Sequence, residues 1–228
     1  RVIRVGAERH IVLIGLPGVG KTSVGRRLAK ELDRPFADAD EQLELTAGCT
    51  IPLLFRERGE AEFRRLEGQI LAELLSRDYP LVVSAPGGAE IGDENRALLA
   101  DLAVVLWLRG SVGFVADRSD PTHRPLLVDG HQEALARLEA ELSARYEEVA
   151  DQVVDIEPFH SLDGEPKRAI ARHIVELLAV SDLRGSVRLP TDRPLLVDGY
   201  EEALAQPEAE LSGPFEGVAE PVVHAAEG

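Results

Sequence analysis

A glycine-rich segment near the start of the chain has the residue types and spacing of a phosphate-binding loop. It follows the pattern G-x-x-x-x-G-K-[ST] and lies between an apolar run and a helix-like repeat. Glycines let backbone N–H groups curve around phosphate oxygens, and the positive end of the next helix dipole adds attraction. The lysine ammonium can reach the β- and γ-phosphates, and the threonine hydroxyl can ligate Mg²⁺. The segment predicts a site for ATP with Mg²⁺ that comprises Gly15, Gly18, Val19, Gly20, Lys21, Thr22 and Ser23.

Two aspartates, Asp38 and Asp40, follow a second short apolar segment. If both belong to the end of a strand, their side chains share one face and point toward the glycine-rich loop. One carboxylate can then hold Mg²⁺ through water, and the other can accept or position a hydroxyl proton. The alternative is that the two aspartates cap a helix that starts near Glu41.

Arginines and glycines further along the chain provide candidate contacts to a substrate. Arg64, in the segment GEAEFRRLE, can offer a bidentate fork to a carboxylate, whereas Arg65 is interpreted as part of a solvated face. Gly87 and Gly88 follow a third apolar run, where bare backbone can approach a ligand, although a plain turn has the same composition. Solvation is the alternative for Arg64 as well.

A polar stretch from Ser119 to His131 interrupts the alternation of strands and helices. Arg118 immediately precedes this stretch, and Arg124 lies within it. Phosphoryl transfer gains from a mobile cation that closes over the γ-phosphate and excludes water. The stretch therefore predicts a lid at about residues 117–131. Arginines in a loop are more often simply solvated, so this assignment needs support from elsewhere in the chain.

Five short apolar runs alternate with helical repeats, which indicates a parallel α/β sandwich with helices on both faces of the sheet. Thr50 is a candidate N-cap for a short helix that ends near Gly59, and a longer helix is predicted from Glu60 to Arg77. The last strand is predicted at Gln152–Ile156 and the last helix at Pro166–Val180.

The bulk composition restricts the class of partner. The 228 residues carry a formal net charge of −16, which argues against a nucleic-acid surface and against anionic membranes. An anionic substrate would therefore need a local basic island. The single cysteine precludes an internal disulfide, and neither a signal peptide nor a membrane-spanning run is recognisable, so a cytoplasmic protein is expected.

After residue 180 the chain repeats part of itself. Residues 191–223 largely copy residues 122–154, but Pro207 and Pro214 replace Leu138 and Arg145 within the copied helix. Proline inside a helix costs about 3 kcal/mol. We therefore expect a kinase domain at residues 1–180 and a degenerate partial duplication of residues 108–156 at residues 181–228, which should form a disordered tail; a second working lid is the alternative.

Taken together, these motifs resemble the shikimate kinase family, within the nucleoside-monophosphate-kinase-like P-loop fold. The resemblance covers about residues 11–180 and rests on GLPGVGKT, Asp38-Ala39-Asp40, GEAEFRRLE, a Gly-Gly after the third strand and Arg124-Pro125-Leu126-Leu127. It implies a three-layer α/β/α fold with a five-stranded parallel sheet of order 2-3-1-4-5. It also implies transfer of the ATP γ-phosphate to the 3-hydroxyl of shikimate, in aromatic amino-acid biosynthesis, by a monomer.

By matching position, the resemblance implies a role for each candidate. Asp40 would hold the substrate hydroxyls, Arg64 the carboxylate, and Gly87 and Gly88 the ring. Asp38 would support Mg²⁺ together with Thr22, Arg124 would act on the transferred phosphoryl group, and Arg118 would lie near the adenine. Lys21, Asp40 and Arg124 would thus be the catalytic residues.

Two positions depart from the family pattern. Pro86 stands where the family usually has the first of three glycines, and Leu142 stands where it has a second arginine for the carboxylate, four residues before the position of Tyr146. Losing such a charge-assisted hydrogen bond costs about 1.5–3 kcal/mol. Arg145, three residues after Leu142 on the same predicted helix, is a candidate substitute.

These departures keep two alternatives open. One is a kinase of the same fold that acts on a related cyclitol or polyol without a carboxylate, which Leu142 and Pro86 favour. The other is a nucleotide-binding module that has lost catalysis, which the decayed repeat favours but the intact Lys21, Asp38 and Asp40 do not.

Overall fold

In the computed structural model, five parallel strands form one sheet of order β2-β3-β1-β4-β5. The structure describes residues 9–86, 93–118, 131–161 and 164–180. The strands are β1 (His10–Ile14), β2 (Phe36–Asp38), β3 (Val82–Ser84), β4 (Ala103–Arg109) and β5 (Gln152–Asp155). The helices are α1 (Lys21–Leu32), α2 (Ala39–Ala47), α3 (Ile51–Leu75), α4 (Asp93–Leu102), α5 (Val112–Ala116), α6 (His131–Val149), α7 (Glu157–His160) and α8 (Pro166–Val180). The predicted fold class and the strand order implied by the resemblance are both confirmed.

The central strand β1 shows how the three layers arise. Its side chains alternate between the two faces, so that Val12 and Ile14 enter one core cluster while Ile11 and Leu13 enter the other. The first cluster is completed by apolar residues of α3, α4 and α6, and the second mainly by those of α1 and α8. Because both faces are covered, the central strands β1 and β4 are almost continuously apolar, as expected for a buried parallel sheet.

The long helix α3 is interrupted at Gly59, as the sequence predicts. Gly59 has φ 77° and ψ 174°, which divides α3 into a short segment and a longer one that starts at Glu60. Only glycine adopts this conformation without strain. Thr50 occupies the N-cap position, but the first backbone N–H group of the helix, that of Ile51, donates to Glu44 Oε1 at 2.8 Å instead of to the threonine hydroxyl.

Several predicted features lie outside the described residues. They are the core of the lid with Arg124, the Gly87–Gly88 pair and the repeated segment at residues 181–228. Among the helices that the structure describes, none combines the length and the apolar character needed to cross a bilayer.

A buried histidine joins three elements at the amino-terminal edge of the sheet. His10 Nε2 lies 3.1 Å from the carbonyl oxygen of Leu75, and Nδ1 accepts from the backbone N–H of Leu81 at 3.1 Å. Both ring nitrogens are therefore used by the neutral imidazole. Burial, together with the nearby charge of Arg34, lowers the pKa of His10 below its usual 6.5, although the bond to Leu75 opposes this shift.

The free energy of unfolding should consequently fall as the pH drops below about 6.5. The unfolded chain takes up a proton at His10 near that pH, whereas the folded chain does so only at lower pH, so protons favour the unfolded state. Urea unfolding of the protein at several pH values between 7.5 and 5 measures this loss. A His10→Asn variant, whose amide oxygen can still accept from Leu81, should show a shallower loss over the same range. An equal slope in both proteins would exclude His10 as the cause.

Candidate active site

The glycine-rich loop connects β1 to α1 at the carboxyl edge of the sheet, which is where ligands bind in open α/β folds. Gly15 opens the loop with φ 140°, and a Cβ atom at this position would lie 2.4 Å from the carbonyl oxygen of Leu108 on β4. Gly20 ends the loop in the left-handed region, with φ 100°, as the N-cap of α1. The loop therefore requires glycine at both ends, the first for close packing and the second for its backbone conformation.

Lys21 is folded back onto the loop. Its ammonium group donates to the carbonyl oxygens of Gly15, at 2.9 Å, and Leu16, at 3.2 Å. The side chain is buried, so a cation is held inside the curve of the loop despite the acidic overall composition. This arrangement forms part of the local basic island that an anionic substrate requires in so acidic a chain.

Asp38 connects the loop to the second strand. Its Oδ2 accepts from the Thr22 hydroxyl at 2.6 Å, and its Oδ1 accepts from the backbone N–H groups of Asp40, at 3.0 Å, and Glu41, at 3.4 Å. The same carboxylate thus caps α2 and holds the hydroxyl of the phosphate loop. Thr22 and Asp38 are brought together, as their expected joint role requires.

The expectation that Asp38 and Asp40 share a strand face is wrong. Strand β2 ends at Asp38, and Asp40 lies in the first turn of α2. The physical reason is the capping interaction, because an aspartate that caps a helix ends the extended segment at its own position. The capping alternative holds for Asp38, which leaves the half-buried Asp40 carboxylate to be positioned by the helix.

Arg64 lies on α3 between two carboxylates. Its guanidinium nitrogens are 2.7 Å from Glu67 Oε2 and 3.4 Å from Glu60 Oε1, and most of the side chain is buried. Arg65 instead points outward and pairs with Glu62 at 2.8 Å, which confirms the interpretation of Arg65 as part of a solvated face. The structure therefore separates the two adjacent arginines by environment.

Glu67, the last residue of the GEAEFRRLE motif, is a buried acid to which the sequence alone assigns no role. Its side chain is only 3 % exposed, and burial raises its pKa to about 7 despite the opposing effect of Arg64. Asp40 raises this pKa further, and Lys21 lowers it. Glu67 therefore lies within electrostatic reach of the loop lysine, the α2 aspartate and Arg64. The signal was present in the sequence, since a charged residue here interrupts an otherwise apolar stripe on α3.

An apolar wall that includes one tyrosine hydroxyl completes this region. Leu142 and Tyr146 of α6 are 4 % and 2 % exposed, and they pack in the same core cluster as Trp107 of β4. The rings of Trp107 and Tyr146 lie 5.6 Å apart. The Tyr146 hydroxyl is buried and has no hydrogen-bond partner in the part of the chain that the structure describes. Such an orphaned group costs about 1–3 kcal/mol.

Three further residues predicted to bind the nucleotide, Val19, Ser23 and Arg118, lie in the described part of the chain. Val19 is buried, and its backbone N–H donates to Leu16 at 3.2 Å, while Ser23 lies half-buried in the first turn of α1. Arg118 is exposed, and its guanidinium carbon lies 4.1 Å from the centre of the Phe114 ring. This cation–π contact presents a flat cationic surface beyond β4.

Comparison with known proteins agrees with this geometry. A family model described as "Shikimate kinase" matches residues 17–179. The chain belongs to the shikimate kinase family. Among the curated members, the shikimate kinase of Mesorhizobium japonicum is 35 % identical over 187 residues, which cover 79 % of this chain and 90 % of that protein. The shikimate kinase of Caulobacter vibrioides is 44 % identical over 150 residues, which cover 65 % and 74 % of the two chains.

Family membership extends to three dimensions. The shikimate kinase of Acinetobacter baumannii, solved in complex with shikimate, superposes with a TM-score of 0.69 at 33 % identity, and the match covers 77 % of this chain and 96 % of that one. The resemblance inferred from the sequence motifs is thereby confirmed.

Proposed function

We propose that this member of the family transfers the γ-phosphoryl group of ATP to the 3-hydroxyl of shikimate. The observation that carries the proposal is the meeting of three charged elements at one edge of the sheet. Lys21 of the phosphate loop, Asp40 of α2 and the Arg64–Glu67 pair of α3 interact electrostatically through Glu67. The chain is therefore a phosphotransferase with an alcohol acceptor, and its acceptor site lies beside the phosphate loop.

The phosphate loop supplies the nucleotide site. Lys21 can exchange its bonds to the loop carbonyls for the β- and γ-phosphate oxygens of ATP. The oxygens of Thr22 and Asp38 are hard ligands of the kind Mg²⁺ prefers, and no cluster of three or more potential metal ligands occurs among residues 9–86, 93–118, 131–161 and 164–180. This fits an ion that takes its other ligands from phosphates and water. When bound, Mg²⁺ neutralises charge that develops on the transferred group.

We assign the acceptor site to α2, which carries Asp40, and to α3, which carries Arg64 and Glu67. Asp40 receives the proton of the attacking hydroxyl, and Arg64 binds the substrate carboxylate through its guanidinium while Glu67 holds that side chain in place. We further assign the ring contact to Gly87 and Gly88, stabilisation of the transferred phosphoryl to Arg124, and the adenine contact to Arg118. These assignments rest on the motif positions.

A second candidate function is phosphorylation of a cyclitol or polyol that lacks a carboxylate. The observation that favours it is Leu142, which places a buried leucine in the core wall formed by α6. With that side chain, α6 offers no cation at this position. Arg145, half-buried three residues later on α6, stays the candidate substitute beside Arg64. The two functions differ in how much the substrate carboxylate contributes to kcat/KM.

Comparison of shikimate with its methyl ester tests the choice. The ester keeps the ring and hydroxyls but removes the negative charge, so kcat/KM should fall about 10- to 100-fold if Arg64 binds the carboxylate. A panel of neutral cyclitols provides the control. Equal kcat/KM for the acid and the ester, or faster turnover of a cyclitol, would favour the second function.

Introducing an arginine in place of Leu142 should strengthen shikimate binding. A guanidinium at this position of α6 would give the substrate carboxylate a second charge-assisted hydrogen bond beside that of Arg64. We therefore expect KM for shikimate to fall about 10-fold. Leu142→Met, which preserves the apolar wall, is the matched control and should leave KM unchanged. An unchanged KM in a folded Leu142→Arg protein would contradict the assignment of this position to the carboxylate site.

Removing residues 181–228 should leave catalysis intact. The proposal that residues 1–180 form the complete kinase domain rests on the sequence repeat and on the family match, which ends at residue 179. We expect kcat and both KM values of the truncated protein to remain within about twofold of the full chain, because none of the assigned site residues lies in the removed segment. A loss of shikimate turnover would assign the tail a role in the kinase.

We also propose that the enzyme acts as a cytoplasmic monomer on small molecules and binds neither nucleic acid nor membrane. The support is the strongly acidic composition and the single cysteine. Sedimentation of the purified chain measures the oligomeric state, and a dimer would contradict this part of the proposal.

A further inference from the structure

The hydroxyl of Tyr146 lies in a place where phenylalanine would fill the same space without an unsatisfied polar group. Its ring is fixed by burial and by contact with Trp107. A buried polar atom without a partner calls for an explanation, since nearly all such atoms in native proteins are hydrogen-bonded. The orphaned hydroxyl therefore indicates a partner that is available in another state of the enzyme.

The surroundings of the Tyr146 side chain point to a partner on α3. Tyr146 packs in one core cluster with Phe63, Leu66 and Ile70, which flank Glu67 on the same side of α3. Burial raises the pKa of Tyr146, the negative charge of Glu67 raises it further, and Arg64 lowers it.

Substrate binding changes the hydrogen bonding of Glu67. In the free enzyme the Glu67 carboxylate is held by Arg64 at 2.7 Å. A substrate carboxylate bound to the same guanidinium brings a second negative charge to it, so that two acids share one cation. A further hydrogen-bond donor then stabilises the Glu67 carboxylate, and the Tyr146 O–H group is a donor that has no acceptor among the described residues.

We propose that Tyr146 is a positioning residue of the acceptor site, whose hydroxyl donates to Glu67 when the substrate carboxylate occupies Arg64. This inference rests on the proposed function, since it requires an anionic acceptor. Tyr146 acts through Glu67 and Arg64 and does not touch the reacting atoms. Its effect is to keep Glu67 charged and in place, so that Arg64 stays oriented toward the substrate.

A Tyr146→Phe variant separates this role from simple packing. We expect KM for shikimate to rise about 10-fold at saturating ATP, with kcat within about twofold. Without shikimate, the midpoint of thermal unfolding should stay the same or rise, because the variant loses only an orphaned hydroxyl. Tyr79→Phe is the matched control, as Tyr79 packs against the same core cluster just before β3 and should leave KM unchanged.

A double-mutant cycle tests whether Tyr146 acts through Glu67. In a Glu67→Met background the additional Tyr146→Phe change should alter KM by less than about twofold, because the acceptor of the hydrogen bond is absent. An equal KM increase in the Glu67→Met background and in the parent enzyme would overturn the proposed route.

The remaining outcomes are also decisive. Unchanged KM in Tyr146→Phe, beside normal shikimate turnover by the parent enzyme, would overturn the inference and leave the proposed function standing. A lowered thermal midpoint with reduced kcat would show a structural role instead. Absence of shikimate turnover in the parent enzyme would overturn the proposed function, and the inference with it.

Discussion

Replacement of Asp40 by asparagine should lower kcat for shikimate phosphorylation by about 10²- to 10⁴-fold, the usual range for removing a general base. Asparagine keeps the size and the backbone N–H that donates to Asp38 at 3.0 Å, so the start of α2 should be preserved. The lost function is the acceptance of a proton from the attacking hydroxyl. Steady-state kinetics with saturating Mg-ATP measure kcat, and nucleotide binding measured by calorimetry should be unchanged.

The neighbouring Glu41 provides a matched control for Asp40. It lies one residue later in the same helical turn, and its carboxylate pairs with Arg26 at 2.5 Å, on the side of α1. Glu41→Gln makes the same acid-to-amide change without touching the acceptor site, and its kcat should remain within about twofold of the parent. An Asp40→Asn enzyme that retains more than about a tenth of the parent kcat would exclude Asp40 as the base.

Replacement of Arg64 by methionine should impair both substrate binding and stability. Loss of a bidentate contact to a carboxylate should raise KM for shikimate about 100-fold. The stability effect arises because Glu67 remains buried without its partner, and it should depend on pH. Burial already raises the pKa of Glu67 to about 7 with Arg64 present, and removal of the cation should raise it further.

The sign of this pH dependence follows from proton uptake. The folded pKa of Glu67 lies above its unfolded value, so the folded state holds the extra proton and loses stability as the pH rises through the folded pKa. Below about pH 7, Glu67 is largely protonated in both proteins and Arg64→Met costs little through this group. Above pH 7 the free energy of unfolding of the variant falls, relative to that of the parent, by up to about 1.4 kcal/mol for each pH unit. The difference reaches up to about 2 kcal/mol between pH 7 and 8.5.

Urea unfolding at about pH 6 and about pH 8.5 measures this difference. The double variant Arg64→Met with Glu67→Met is the control, because it removes the buried acid together with its partner and should recover most of the loss at high pH. A destabilisation by Arg64→Met that is the same at both pH values would show that Glu67 does not carry the effect.

Much of the fold could be predicted from local sequence signals. The G-x-x-x-x-G-K-[ST] pattern fixes a strand, a tight loop and a helix in that order, and Gly59 ends one helix because it alone tolerates φ 77°. The order of the strands in the sheet could not be predicted from such local signals. No local pattern states which strand lies beside β1, so the order came from the family resemblance and was then confirmed by the pairings of β1 with β3 and β4.

The candidate site was predicted less completely, and the reasons differ for each residue. The alternation argument for Asp40 was wrong because the capping bond of Asp38 ends β2 two residues earlier. Glu67 belongs to the GEAEFRRLE motif, but no role could be predicted for it, because an acid on a helix is usually solvated and its burial beside Leu66 depends on the packing of α3. The orphaned hydroxyl of Tyr146 depends on packing between α6 and β4, which no sequence pattern reveals.

We propose that this chain phosphorylates shikimate at the carboxyl edge of the sheet, at the site assigned to Lys21, Asp40 and Arg64. ³¹P NMR of a mixture of the purified protein, Mg-ATP and shikimate, with the Asp40→Asn protein in a parallel tube, tests this proposal directly. We expect equimolar formation of ADP and of a phosphate monoester coupled to the ring proton at carbon 3, in the parent tube only. Bound ATP that remains intact in the presence of shikimate, or equal product in both tubes, would show that the proposal is wrong.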